Sequence, residues 1–276
     1  MAYDAVHKVV VLFGGTGSGG PLSDTWIWNG REWLQQFPVV SPPPRDSAGM
    51  TFDGGRQRVV LFGGEGLNFS LLTDTWTWDG SNWHRESPAH SPDGFRNFAF
   101  AFYPPTASSI LYGTLNGTGF APRSTWSWDG NDWTKLTPTD LPPFNVGAGG
   151  AMTYTQATRS LLLFGGSDQT WTWDGVDWHY LEGPGPGSRQ FLPMALDATG
   201  AAVIYGGSNA PLGDTWAWNG AWTHRQPAHS PTEASSSSAN SALAYDADSG
   251  QTVLFGGSAN GDQTWLWDGT DWTLAS

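Results

Sequence analysis

The residues best suited to chemistry are a few side chains that recur just ahead of small, apolar runs. Arg45 follows Pro-Pro-Pro and Arg189 follows Pro-Gly-Ser, and each stands five residues before a methionine, Met50 and Met194. Arg96 follows Asp-Gly-Phe, one residue out of that register, and Asn145 and Glu233 occupy the matching stretches of two further copies. Arginine carries a permanent charge on a planar fork that matches a carboxylate. These arginines are therefore the best anion site on the chain, and the bland alternative is an internal ion pair with Asp46, Asp93 or a neighbour. A second group is apolar: Leu67, Phe69, Leu71 and Leu72 cluster in one segment, and Asn116 and Phe120 lie in another. Apolar loop residues form a contact surface or fold over the adjoining sheet. The expected ligand contacts are Arg45, Arg96, Asn145, Arg189, Phe69, Asn116, Phe120 and Glu233.

Much other chemistry is excluded. The chain has no cysteine, which removes disulfides, thiolate metal sites and cysteine nucleophiles. Its six histidines are dispersed, whereas catalysis needs convergent groups. Gly15-Thr-Gly17-Ser-Gly19-Gly20 matches a dinucleotide fingerprint, but a strand pattern follows where that motif needs a helix. Asp246-Ala-Asp248-Ser-Gly250 lacks the later ligands of a calcium loop. No metal and no cofactor is expected. Twelve Lys and Arg against 25 Asp and Glu leave a formal charge of −13, which repels phosphate backbones and anionic membranes. No apolar run approaches the ~20 residues of a membrane span, and no charged-then-apolar signal opens the chain. It reads as a soluble acidic monomer with no nucleic-acid partner and no membrane insertion. A secreted or periplasmic protein with its signal removed fits, and so does a cytoplasmic one.

The elements that must position these residues are repeats. Thr-Trp-x-Trp-(Asp/Asn)-Gly begins at Thr25, Thr75, Thr125, Thr170, Thr215 and Thr264, and a third tryptophan follows each, so the six copies hold all 18 tryptophans. The first tryptophans are spaced by 50, 50, 45, 45 and 49 residues. Each copy reads as four short strands: a small apolar one, a Val/Leu/Phe run closed by Gly-Gly, the Thr-Trp-x-Trp strand, and one opened by the third tryptophan. Strand side chains alternate, so both tryptophans of the motif share a face. The Asp-Gly or Asn-Gly between strands three and four is a hairpin signal. Four-strand units at this period predict a β-propeller in a single domain, residues 1–276, with blades near 1–41, 42–91, 92–142, 143–187, 188–232 and 233–276. The third copy is degraded, reading Ile110-Leu111-Tyr112-Gly113-Thr114. The fixed place of the tryptophans predicts packing between blades rather than stacking on sugars.

The Gly-Gly pair, the aromatic in strand three (Trp28, Trp78, Trp128, Trp173, Trp218 and Trp267) and the tryptophan opening strand four resemble the Kelch family over nearly the whole chain. The Trp-x-Trp-Asp-Gly variety looks like bacterial Kelch proteins and the central domain of galactose oxidase. The resemblance implies six blades with strand one innermost, and acidic peptides recognised at the upper mouth of a central channel, where Arg45 and Arg189 would lie. The copper-radical oxidases of that family use a Cys–Tyr crosslink that this chain cannot form.

Strand parity puts the four-to-one and two-to-three connections on one face and the tight turns on the other. The tight turns collect thirteen carboxylates, among them Asp4, Asp53, Asp79, Asp132, Asp197, Asp246 and Asp271. Turn geometry alone accounts for aspartate there. Cation binding or docking to a basic partner is the functional alternative. The expectation is a binding propeller for a small acidic or polar ligand (a peptide, metabolite or glycan). The alternative is a metal-independent isomerase, lyase or cyclase using the same pocket.

Overall fold

The computed structural model describes residues 1–115, 123–143, 149–207, 213–231, 241–256 and 263–275, with backbone alone for Arg96 and Asn97. Two compact units divide the chain, Met1–Pro138 and Thr139–Ser276, with three four-stranded antiparallel sheets in each. In the first unit the sheets are Ala2–Asp4, Val9–Phe13, Thr25–Trp28 and Trp33–Gln36; Gly49–Asp53, Arg58–Phe62, Thr75–Trp78 and Trp83–Arg85; Phe95–Tyr103, Ser108–Leu115, Arg123–Trp128 and Trp133–Leu136. In the second they are Ala151–Thr155, Ser160–Gly165, Gln169–Trp173 and Trp178–Leu181; Met194–Leu196, Ala202–Tyr205, Thr215–Trp218 and Trp222–Arg225; Ser241–Asp246, Gln251–Gly256, Thr264–Trp267 and Trp272–Leu274. Every blade pairs its strands in chain order. The fold is an all-β, six-bladed propeller, and no α-helix occurs among the described residues.

The repeat motif explains itself in three contacts. First, the two flanking tryptophans of each hairpin face each other directly, as Trp78 does Trp83 and Trp128 does Trp133. Their ring centroids lie 5.3 and 5.4 Å apart, and no tryptophan in the chain is exposed. Second, in four copies the motif's threonine is buried and accepts a hydrogen bond from the third tryptophan of the next blade. Trp83 Nε1 donates to Thr25 and Trp133 Nε1 to Thr75, both at 2.9 Å; Trp222 donates to Thr170 and Trp272 to Thr215, both at 2.8 Å. Third, the residue before that threonine receives the first indole: Asp24, Asp74 and Asp214 accept from Trp26, Trp76 and Trp216, while Ser124, Gln169 and Gln263 do the same for Trp126, Trp171 and Trp265. A buried indole N–H is thereby satisfied rather than left at a desolvation cost of ~1–3 kcal/mol.

The turn carboxylates are mostly structural. Asp4, Asp53, Asp197 and Asp246 are buried, and each accepts backbone N–H groups of its own turn. In the hairpins Asp79, Asp129, Asp174 and Asp268 accept two backbone N–H groups each. The second acid of the hairpin clasps the connector from the preceding blade. Asp132 takes the side chain and backbone N–H of His90, Asp271 those of His229, and Asp177 the backbone N–H groups of Asp140 and Thr139. Hydrogen bonds from the His90 and His229 side chains, then their backbones, hold Asp132 and Asp271 below the usual carboxylate range. Among the described residues no cluster of acids and histidines is arranged to hold a metal ion.

The third copy, weakest in sequence, carries the longest pairing, Phe95–Tyr103 against Ser108–Leu115. Its register shifts between Phe95 and Asn97. One extra residue in a strand makes a β-bulge, and here Arg96 is that residue.

Candidate functional site

Arg45 and Arg189 lie inside their blades, each fully buried. Arg45 grips Asp74 with both ends of its fork, at 2.7 and 2.8 Å, and donates to the Gly63 and Pro43 carbonyls. Arg189 repeats this with Asp214 at 2.8 and 3.0 Å, with the carbonyls of Gly206 and Pro186. Both guanidinium groups are thus spent on an internal pairing whose partner is the aspartate before the motif threonine, in place of Asp46 or Asp93. Burial works against ionising Asp74, but hydrogen bonds from Arg45 and Trp76 and the Arg45 charge outweigh it and hold the carboxyl below its ordinary value. A sequence signal for this existed: an arginine ahead of strand one and an aspartate ahead of Thr-Trp occur together in copies two and five. Phe69 stands 76% exposed beside exposed Leu67, at a loop tip where Asn68 and Phe69 both have positive φ. The backbone of Arg96 forms the bulge, and its side chain lies outside the described residues, as do Asn116, Phe120, Asn145 and Glu233 entirely.

The structure assembles a polar cleft elsewhere, at a seam of the first unit. It is a cavity of about 290 Å³ between blades two and three, lined by Asp53, Arg56, Arg58, Val60, Thr77, His84, Glu86, Trp128 and Gly130. Blade two supplies one cross-strand row, Val60–Thr77–His84. Two residues before Val60 is Arg58, and two after His84 is Glu86. Val60 and Trp128 are buried and close the bottom. Arg56 reaches across to blade three, donating to Asp53 at 2.9 Å and to the Ala107 carbonyl at 3.0 Å. It lies so close over Gly130 that any side chain there would collide with it, and Gly130 also holds φ at 92°.

The cleft's polar groups are unequally committed. His84 Nε2 pairs with Asp79 Oδ2 at 2.7 Å. Arg58 approaches the same oxygen only to 3.5 Å, too long for a strong hydrogen bond. Glu86 is half-buried and accepts from the Thr77 hydroxyl through Oε1 at 2.7 Å. A largely free donor fork and a carboxylate with a spare oxygen therefore face the same hollow.

Blade two is the exception among six. The equivalent rows are Val11–Ile27–Leu34, Ile110–Ser127–Thr134, Leu162–Thr172–His179, Val203–Ala217–Thr223 and Val253–Leu266–Thr273. In place of Arg58 stand Val9, Ser108, Ser160, Ala201 and Gln251, and in place of Glu86 stand Gln36, Leu136, Leu181, Arg225 and Ala275. No other blade has more than one ionisable group at these positions; blade two has Arg58, His84 and Glu86. Sequence reasoning passed over all three, and aligning the six copies column by column would have found them.

The protein is thus a six-bladed propeller with a polar cleft in one seam. No protein-family model and no curated protein matches the chain. Solved structures do. One described as the structure of YjhT aligns at TM-score 0.67 and 15% identity, covering 99% of this chain and 96% of that one. The SapL1 lectin, solved in complex with alpha methyl fucoside, aligns at 0.65 and 13%, over 96% and 94%. A fungal alcohol oxidase of the AA5 family, in complex with copper, aligns at 0.53 and 14%, over 89% and 66%. At these identities the likeness is one of fold.

Proposed function

We propose that this protein is a Kelch-type binding propeller for a small polar ligand, and that its site is the cleft between blades two and three. One observation carries the reading: at these seam positions the other blades place at most one ionisable side chain, His179 in blade four and Arg225 in blade five, whereas blade two places three, Arg58, His84 and Glu86, around a cavity. A repeat scaffold does not need such a departure for packing, and convergent polar groups in a concave site are the usual mark of a ligand site. The upper-mouth arginines fit a scaffold role, since Asp74 and Asp214 already fill their forks. The solved lectin complex supports the reading by showing that this fold carries small-ligand binding. Binding is favoured over catalysis because the His84–Asp79 pair is a feature of the repeat: His179 pairs with Asp174 in the same way, at 2.9 Å, in blade four. The pair therefore braces the hairpin.

Ligand-observed NMR with a library of small sugars, amino acids and dicarboxylates tests this. Hits are expected with the wild-type protein and not with the variant R58V/T77I/H84L/E86Q, which gives blade two the filling of blade one. Hits that survive in the folded variant would move the site elsewhere.

A further inference from the structure

Building on the cleft as a ligand site, we infer that its ligand is an uncharged sugar ring, held by Arg58 at one end and Glu86 at the other. Arg58 opens the second strand of blade two and Glu86 directly follows the fourth, where its N–H donates to the Thr75 carbonyl, so the two lie on opposite sides of the Thr77 row. At ~4.8 Å between strands and ~3.3 Å per residue, their backbones are separated by two strands and about four residues, and Glu86 reaches back over that span to the Thr77 hydroxyl while Arg58 reaches toward Asp79. The cavity of about 290 Å³ lies at the low end of the ~300–1,000 Å³ typical of ligand sites, which selects a single ring over an oligomer.

Charge selects among single rings. The carboxylates of Asp53, Asp79 and Glu86 surround the cleft, and so do the guanidinium groups of Arg56 and Arg58. An anionic ligand brought to Arg58 meets Asp79 beside it, and the −13 charge of the chain opposes its approach. A cationic ligand brought to Glu86 shares the cavity with two arginines. A hydroxyl suffers neither repulsion, and it uses both groups, accepting from Arg58 and donating to Glu86. Charge-assisted hydrogen bonds of this kind are about twice as strong as neutral ones. Thr77 and His84 add polar edges between the two ends.

Calorimetry with three matched sets of probes tests the inference: methyl glycosides of neutral hexoses and deoxyhexoses, the corresponding uronates, and the amino sugars. At least one neutral glycoside is expected to bind ten-fold or more tightly than its charged counterparts. That affinity should fall at least ten-fold in R58A and in E86Q, and stay unchanged in Q36A, the equivalent site of blade one. A uronate or amino sugar that binds more tightly, yet depends on Arg58 and Glu86, would overturn the uncharged ligand and leave the cleft standing. Neutral binding indifferent to both substitutions would overturn the cleft as well. No neutral glycoside bound at 50-fold molar excess at millimolar protein, with both variants folded by circular dichroism, would overturn the inference. The library hits of the four-site variant would then decide the cleft on their own.

Discussion

Two neighbouring seams of the first unit are built on one plan and diverge in their outer rows. In the seam between blades one and two, Phe13 packs edge-on to Trp83 with ring centroids 5.2 Å apart, and Thr25 receives that indole's N–H. In the seam between blades two and three, Phe62 packs on Trp133 at a tilt, with centroids 4.8 Å apart, and Thr75 receives that indole's N–H. A basic or aromatic side chain covers the hairpin glycine of the next blade in both, His7 over Gly80 and Arg56 over Gly130. Outside that shared layer, Val9, Ile27 and Leu34 line the first seam, and Arg58, Thr77 and His84 line the second. The difference teaches that the indole, phenylalanine and threonine layer suffices to hold two blades together. The outer row is then free to carry polar groups, and with them a ligand.

The largest test of that shared layer is its removal. Trp83→Ala and Trp133→Ala should each lower stability by about 3–5 kcal/mol in denaturant titrations, the usual cost of a large aromatic truncation in a packed core. A loss confined to one seam would break the equivalence. Next comes the internal ion pair that blade two has and blade one lacks, where Asp24 has only Trp26 and leaves Oδ1 unpaired. Arg45→Ala strands a half-buried carboxylate and should cost up to roughly 3–5 kcal/mol, whereas Arg45→Met with Asp74→Leu should cost much less. Because the folded Asp74 carboxyl lies below its unfolded value, its stabilisation is present above the ordinary aspartate range of about pH 4 and disappears as pH falls through the lowered value. Asp74→Asn should therefore flatten the acid limb of the stability profile. A smaller effect belongs to Thr25→Val and Thr75→Val, each leaving one buried indole N–H without its acceptor, at about 1–3 kcal/mol apiece. The smallest sharpens the contrast itself: R58V/T77I/H84L/E86Q should be neutral or stabilising by about 1 kcal/mol, since apolar area buried contributes roughly 25 cal/mol per Å², while ligand binding is lost. A strongly destabilised variant would mean that the polar groups of the cleft are needed for packing.

The blade pattern was legible in the residues because its causes are local. Alternation along Thr-Trp-x-Trp puts two indoles on one face whatever the rest of the chain does, and Asp-Gly turns the hairpin through its own φ preference. The same locality made aspartate in the turns readable as geometry, and the buried Asp4, Asp53, Asp197 and Asp246 follow from it. The arginines were found by spacing, but their fate was not: Asp74 is 29 residues from Arg45 and meets it only once strand three is laid beside strand two. The cleft was less visible still. Arg58, Thr77 and His84 come from three strands of one copy, Glu86 from just past the last of them and Trp128 from the next copy, and each is unremarkable in its own stretch of chain. Composition and short-range pattern determined that there would be six like sheets. Cross-strand register and the stacking of one blade on another decided which seam would open, because a pocket is a property of side chains that are distant in sequence and adjacent in space.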